Sequence, residues 1–323
     1  MPEHRPIVVP PELCIAFGMR WCLSLFLCAS LALGLAGPLD AQQTRDLRSD
    51  SDVSIVVTGT RLTREQARER AVEFVRQVGV ARGQQAAARW IDPVCPRVRG
   101  IAEPYAGIVE ARMRTIAGEA GVRVAREGCD PNISVSFVGD AEALMREIDR
   151  RSSTRLREVP VEARNALVNG DAPIRWWYLT GTRSRHGMRS TSQTLPVEGG
   201  GDQASQSIQV EAVSHYDSSV ISTQVNRAIV DASVVIDLDR VEGRMLETVA
   251  AYAAFVAFAE VRASDPPPPG SILGMFGPEP ETRSLTDWDM AFLRALYRLP
   301  LDRRARRHRG MLVRDMVNAQ TPG

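Results

Sequence analysis

Apolar positions three and four residues apart predict two helices, one starting near residue 63 and one near residue 103. Thr63 and Gln66 have the spacing of a capping box before the first helix, and Gly79 ends it. The second helix is predicted from about Glu103 to Ala120. The stripe of the first helix is Ala67, Ala71, Phe74, Val75 and Val78, and that of the second is Tyr105, Ile108, Val109, Met113, Ile116 and Ala117.

Alternating and β-branched runs predict strands in the same chain. The alternation within 132–140 is typical of a half-buried strand. Further strands are predicted at 54–62, 174–182, 207–216 and 232–239, and further helical segments at about 141–151 and 161–169. The polar, Gly/Ser-rich segment 183–206 has no periodicity and predicts one long, flexible hairpin loop. Because strand and helix signals continue on both sides of it, we predict a single α/β (α+β) domain over 54–323, with a mixed sheet packed by helices.

The run "VAAYAAFVAFAEV" at 249–261 is apolar on every side of a helix. That helix is predicted to begin near Arg244 and to be stopped by the prolines of 264–270. The run is too short to span a bilayer, so we expect it to be buried against the sheet. A closing helix follows at 285–297, with Thr286 and Asp289 at its first turn. Its predicted buried face is Phe292, Leu293, Leu296 and Tyr297, and the Arg-rich stretch 303–309 then leads into a short final helix.

The N-terminus resembles a secretory leader, and this predicts the compartment. A positive residue, an apolar stretch and small residues define a leader over 1–41, with a signal peptide starting at Met19. Residues 42–53 are predicted to be a disordered linker. The expected product is an exported protein, periplasmic or extracellular, with no transmembrane span in the mature chain. Only Cys95 and Cys129 lie beyond the leader, and in an oxidising compartment we expect them to pair, with two buried thiols as the alternative.

Composition removes several classes of chemistry. The net charge is only +1, and the basic residues do not alternate with aromatic ones, so nucleic acid is not an expected partner. All 40 basic residues are Arg, which excludes a lysine nucleophile, a Schiff base and a P-loop lysine. No H-E-x-x-H or G-x-S-x-G motif occurs, and no cofactor is predicted.

Two weaker constellations remain from the polar residues. His186 and His215 can meet across the hairpin and share a metal with Glu211 or Asp217. Three carboxylates, Asp231, Asp237 and Asp239, surround one strand and can supply a carboxylate pair, although such residues usually cap a strand end.

The last third of the chain resembles metzincin-type zinc peptidases. Ser271-Ile272-Leu273 stands where those enzymes have a Ser-Ile-Met turn, with Met275 two residues later, and "LTDWDMAFLRALY" resembles their closing helix. The pattern is more similar still to an uncharacterised family of exported bacterial proteins that keep this zincin-like framework and have lost the zinc motif. The resemblance places Tyr252, Ala253 and Val256 where H-E-x-x-H would stand, and these side chains bind no zinc and activate no water.

The resulting prediction is an exported, non-catalytic protein with a binding or cell-envelope-associated role. Its partner is an unidentified protein or envelope component. The candidate cleft residues are His215, Asp237, Asp239, Tyr252 and Met275. One alternative is a hydrolase that uses an unrecognised site made of Asp237, Asp239 and His215. Another is an accessory protein of TonB-dependent outer-membrane uptake, suggested by the "VVTGTR" sequence at 56–61.

Overall fold

The computed structural model describes residues 62–184, 225–277 and 284–321 in full, and the backbone alone of 191–197 and 206–212. These residues all belong to one compact unit, Gly59–Gly323. The predicted leader, the linker and the strand-like run 54–61 lie outside the described residues, as do His186 and His215.

Helices and strands alternate along the described residues. The helices are α1 (Arg64–Val78), α2 (Glu103–Ala120), α3 (Ala141–Arg151), α4 (Val161–Asn169), α5 (Leu246–Phe258), α6 (Asp287–Arg298) and α7 (Ala305–Gln320). The strands are β1 (Arg89–Trp90), β2 (Pro96–Arg99), β3 (Ile133–Val138), β4 (Ile174–Ser184), β5 (Thr191–Val197), β6 (Gln206–Ala212) and β7 (Val225–Asp237).

A mixed five-stranded sheet forms the centre of the fold, as predicted. β1 and β3 pair in parallel with successive parts of β7, and β2 pairs in parallel with β3. β4 runs antiparallel to β7 along the other edge of that strand. β5 and β6 pair with each other in a separate two-stranded sheet. Within the described residues β4 has β7 as its only strand partner, so β4 is an edge strand of the main sheet.

Two hydrophobic cores cover the two faces of the sheet. The larger core joins one face to α1, α2, α5, α6 and α7. The smaller core lies on the other face, where α3 and α4 pack on β4 and β7 through Trp177, Val235, Met145 and Val168. The fold therefore has three layers, and helix α5 lies in the larger one.

The capping signals identify helix ends well, and the apolar stripes do so less well. Thr63 and Gln66 form the predicted capping box of α1, and Gly79 ends that helix in a left-handed conformation. Thr286 and Asp289 form a second box at α6. In α2, however, Tyr105 and Ile108 are exposed instead of buried. The buried stripe of α2 is Ala106, Val109, Met113, Ile116, Ala117 and Ala120. Small alanines at 106 and 120 therefore form the close contact with the core.

Several boundaries differ from the predicted ones. The expected loop 183–206 contains the end of β4 and all of β5, so the unstructured connection predicted there is too long. Strand β7 begins at Val225, seven residues before the predicted strand at 232. Helix α5 ends at Phe258, well before the prolines, so the prolines do not end it. Helix α7 has 16 residues and begins inside the Arg-rich stretch.

The predicted disulfide between Cys95 and Cys129 is present. It joins the chain before β2 to the chain before β3, two neighbouring parallel strands. A closed loop of about 35 residues corresponds to roughly 3–4 kcal/mol of stabilisation in the chain-entropy description. Among the helices that the structure describes, none is both long and apolar enough to cross a bilayer.

Candidate functional site: a groove beside helix α5

Helix α5 is buried on all sides, as its apolar run predicts. No side chain from Thr248 to Ala259 is more than 6 % exposed. Phe255 packs on Phe292 of α6, and Tyr252 packs on Trp176 of β4. A helix surrounded in this way needs internal partners for its terminal backbone groups, because water does not reach them.

Three aromatic side chains satisfy the C-terminal carbonyls of α5. The Tyr178 hydroxyl donates to the Val256 carbonyl at 2.5 Å, and the Tyr297 hydroxyl donates to the Phe258 carbonyl at 2.7 Å. Trp90 Nε1 donates to the Ala257 carbonyl between them at 2.8 Å. Burial raises the pKa of both tyrosines well above the ordinary value, so both remain donors throughout the physiological range. These contacts, from β4, α6 and β1, end the helix at Phe258.

A groove of about 570 Å³ lies on the outer side of β4. One wall is the segment before α4 together with α4 itself, including Ala163 and Ala166. The other wall is formed by 260–264, Leu273 and Phe276, and Tyr252 is the part of α5 that reaches the groove. Its volume is within the usual range for ligand sites. A second cavity, of about 540 Å³, lies between α2, α6 and α7, and its walls alternate charged and apolar side chains without an aromatic ring.

The outer edge of β4 presents to this groove backbone groups that have no strand partner among the described residues. The Pro173 carbonyl accepts from Asp237 N–H of β7, whereas Thr180 N–H points away and donates to Glu158. Backbone direction alternates along a strand, so odd-numbered residues here face β7 and even-numbered residues face outward. Ile174, Trp176 and Tyr178 therefore direct their N–H and C=O groups toward the groove.

The side chains of the groove are mainly apolar and aromatic. Trp176, Tyr178, Leu273 and Phe276 are each only partly buried, although all four pack against the larger core. Tyr252 packs on Phe276 as well as on Trp176. Burial alone raises the pKa of the Tyr252 hydroxyl, and no hydrogen bond to that hydroxyl is present among the described residues. The groove thus combines an open strand edge with aromatic surface, which is the composition of a recognition site.

A polar network closes one end of the groove. The Glu158 carboxylate accepts from Thr180 N–H at 2.9 Å and from the Thr180 hydroxyl at 2.7 Å. Arg227 donates to the same hydroxyl at 3.3 Å and pairs with both oxygens of Glu260, at 2.8 and 3.0 Å. The Glu260 side chain is only 13 % exposed and is held by Arg227. Glu158 therefore takes the place of a partner strand at Thr180.

Arg175 lies near the other end of the groove and is almost fully buried, at 1 % exposure. One nitrogen, Nη2, donates to the Gly170 carbonyl. Its Nε and Nη1 are buried without a hydrogen-bond partner among the described residues. Burial lowers the pKa of the guanidinium, and the nearby Asp237 carboxylate opposes that shift. A buried cation with two unsatisfied donors is costly and is uncommon away from functional sites.

The turn below the groove is fixed by a buried carboxylate. Asp289 accepts from the Ser271 hydroxyl at 2.6 Å and from Ile272 N–H at 2.8 Å. It also accepts from Thr286 N–H and the Thr286 hydroxyl, at 3.0 and 2.9 Å. Burial raises the pKa of Asp289, and these donors oppose the shift. Asp289 thus joins the start of α6 to the Ser271-Ile272-Leu273 turn that positions Leu273 and Phe276.

The predicted cleft residues that the structure describes do not come together at one site. Tyr252 lines the groove, and Met275 is buried beside the turn. Asp237 lies at the end of β7, where its carboxylate accepts from Ala141 N–H and Arg240 N–H, each at 3.2 Å. It therefore caps α3 and the following turn, and it is not part of a carboxylate pair directed at the groove. Asp239 is exposed on the turn after β7, and His215 lies outside the described residues.

His308 is a buried polar residue that was not identified from the sequence. His308 of α7 is completely buried. Its Nδ1 accepts from Ala87 N–H at 3.1 Å, and Nε2–H faces the Pro300 carbonyl at 3.1 Å. Burial lowers the pKa of His308, while the Pro300 contact opposes the shift. Its spacing of three and four residues from Ala305 and Leu312, which are both buried, is the sequence signal that places it on the buried face of α7.

Neither the metal-ligating side chains among the described residues nor comparison with known proteins points to another site. Within the described residues, no group of three or more His, Cys, Asp or Glu side chains is arranged to hold a metal ion. Comparison with protein-family models, curated proteins and solved structures gives no match. The resemblance to metzincin-type peptidases therefore stays a prediction.

Proposed function

We propose that this is an exported, non-catalytic binding protein with a degenerate metalloprotease-like framework, and that it binds an extended polypeptide segment in the groove along β4. The leader pattern and the disulfide support export, since disulfides form in oxidising compartments. The partner is then a protein of the periplasm, the envelope or the exterior.

The observation that carries the proposal is the edge of β4 inside an aromatic groove, which has no partner strand in the part of the chain that the structure describes. An extended segment that adds to an exposed strand gains backbone hydrogen bonds, and pockets on both sides provide selectivity. Ile174–Tyr178 is about 17 Å long at roughly 3.4 Å per residue, which accommodates five or six residues of ligand. Glu158 occupies the next outward amide at Thr180, so pairing stops there.

The non-catalytic part of the proposal is supported by the surroundings of α5. Positions 253 and 256, which the resemblance aligns with acid–base and zinc-binding positions, are Ala253 and Val256 with no exposed surface. Tyr252 is the aligned residue that reaches the groove, and it contributes a ring and a hydroxyl.

The test is affinity selection from a pool of random hexapeptides by the purified, disulfide-bonded chain, read by mass spectrometry. The groove variant is Ala166→Trp, because Ala166 is exposed on α4 and lines the groove. Asn165→Trp is the control, since Asn165 is exposed on the same helix and does not line it. We expect enrichment by the wild type and the control, and at least tenfold less by Ala166→Trp.

Equal enrichment by Ala166→Trp, or no enrichment by the wild type, would contradict binding in the groove. The same spectra report the mass of every peptide after incubation. Cleavage products that disappear with a chelator would contradict the non-catalytic assignment.

A further inference from the structure

Arg175 has a feature that the proposed groove does not by itself explain, namely a buried charge whose donors are largely unused. Only Nη2 has an acceptor, the Gly170 carbonyl, while Nε and Nη1 have none among the described residues. Other described arginines with low exposure are better compensated. Arg183, for example, pairs with Asp92 at 3.1 Å.

Asp237, the carboxylate that acts most strongly on Arg175, is already occupied. Asp237 accepts from two backbone amides, and one of its oxygens lies 3.7 Å from Arg240 Nε. The charge of Arg175 is therefore balanced only at a distance. Arg175 also lines the groove, so a rotation of its buried guanidinium toward the groove lets a ligand supply the missing acceptor.

On this basis we propose that Arg175 binds a carboxylate at the last position of the bound segment. The inference rests on the proposed function, since it names the group that the same groove recognises. Charged hydrogen bonds from a guanidinium to a carboxylate are among the strongest that a protein makes.

The two ends of the groove set the direction of the ligand. Strand β4 runs from Ile174 toward Thr180, so an antiparallel segment begins at the Thr180 end and finishes beside Arg175. Glu158 closes the Thr180 end with a negative charge, which disfavours a carboxylate there. The arrangement thus favours antiparallel addition, with the carboxylate at the Ile174 end.

The test compares three hexapeptide pools on the whole purified chain: free C-terminal acids, C-terminal amides, and amides whose last residue is Asp. We expect the wild type to retain the free acids about 10- to 100-fold better than the plain amides, the usual effect of a charged hydrogen bond. Retention of the Asp-amide pool at the level of the free acids would assign the carboxylate to a side chain as well as to the terminus. Its loss would assign the carboxylate to the terminus alone.

Arg175→Gln should abolish the preference for acids, and Arg164→Gln is its control, because Arg164 pairs with Asp149 outside the groove. The comparison of acid and amide on the wild type stands even if Arg175→Gln does not fold. Equal retention of acids and amides, with both lost in Ala166→Trp, would overturn the role of Arg175 and leave the groove in place. Binding of no pool would overturn the proposed function as well.

Discussion

Helix α5 and the groove beside it are in direct contact, yet they differ in whether their polar groups have partners. The last carbonyls of α5 accept from Trp90, Tyr178 and Tyr297, and its side chains from Thr248 to Phe258 are buried. Along the groove, the outer edge of β4 from Ile174 to Tyr178 has no strand partner among the described residues, and two donors of Arg175 have no hydrogen-bond partner there. Satisfied backbone groups at the end of a buried helix support the fold, whereas unsatisfied groups beside a cavity indicate where a ligand binds. This difference indicates that the ligand site is at the edge of β4 and not at helix α5.

The largest expected effect comes from a charge placed in the closed region. Ala253→Glu puts a carboxylate at a position with no exposed surface, and we expect it to lower the free energy of unfolding by more than ~4 kcal/mol. Ala263→Glu is the matched change on the exposed wall of the groove, with an expected effect within ~0.5 kcal/mol. Urea unfolding measures both. A stable Ala253→Glu protein would show that α5 opens to solvent.

The next effect concerns the aromatic donors at the end of α5. Tyr297→Phe leaves the Phe258 carbonyl buried without its donor, and we expect a loss of ~1–3 kcal/mol. Tyr252→Phe removes a hydroxyl that has no partner in the described part of the chain, so a change below ~0.5 kcal/mol is expected. Equal losses for the two variants in thermal or urea unfolding would disprove the account of how α5 ends.

A pH-dependent effect is expected from His308. Its pKa is lowered in the folded state, so the unfolded chain binds the proton more readily. The free energy of unfolding should therefore decrease as the pH falls below the ordinary value of about 6.5, until the lowered pKa is passed. His308→Gln should be less stable at neutral pH. Its free energy of unfolding should also depend less on pH between about 7.5 and 5.5, the range around the ordinary histidine pKa. An unchanged dependence in urea titrations would contradict the assignment.

The smallest expected effect is at the closed end of the groove. Glu158→Gln keeps one acceptor for Thr180 and removes the charge, and we expect a loss of about 1 kcal/mol or less, because the site is partly exposed. Binding of peptide acids should change little, since Glu158 lies at the opposite end from Arg175. A tenfold or larger change in acid binding would mean that the proposed direction of the ligand is wrong.

Local sequence patterns predicted the positions of the helices and strands better than the contacts between them. The buried state of α5 followed from an uninterrupted apolar run, and capping boxes located α1 and α6. The burial of α2 was misplaced, because apolar residues lie on more than one face of that helix. Contacts between residues far apart in the sequence decide which side chain donates to a buried carbonyl. No local pattern shows that Trp90 and Tyr297 donate to the last carbonyls of α5.

The groove itself was predictable only in part. The strand at 174–182 and the importance of Tyr252 were anticipated, but the free edge depends on the order of strands in the sheet. Arg175 stands between Ile174 and Trp176 in a strand pattern, so a charge inside a strand covered on both faces was the available signal. Glu158 and Glu260 reach Thr180 and Arg227 from distant parts of the chain, and their roles required the structure.

Residue-resolved amide exchange along β4 tests the central claim most directly. In the free protein, the outward amides of Trp176 and Tyr178 should exchange quickly, while the inward amides of Arg175 and Trp177 are protected by β7. Addition of the enriched peptide acids should slow Trp176 and Tyr178 and leave the amides of α5 unchanged. If Trp176 and Tyr178 are already protected in the free protein, or exchange equally fast with peptide bound, the edge of β4 is not the binding site.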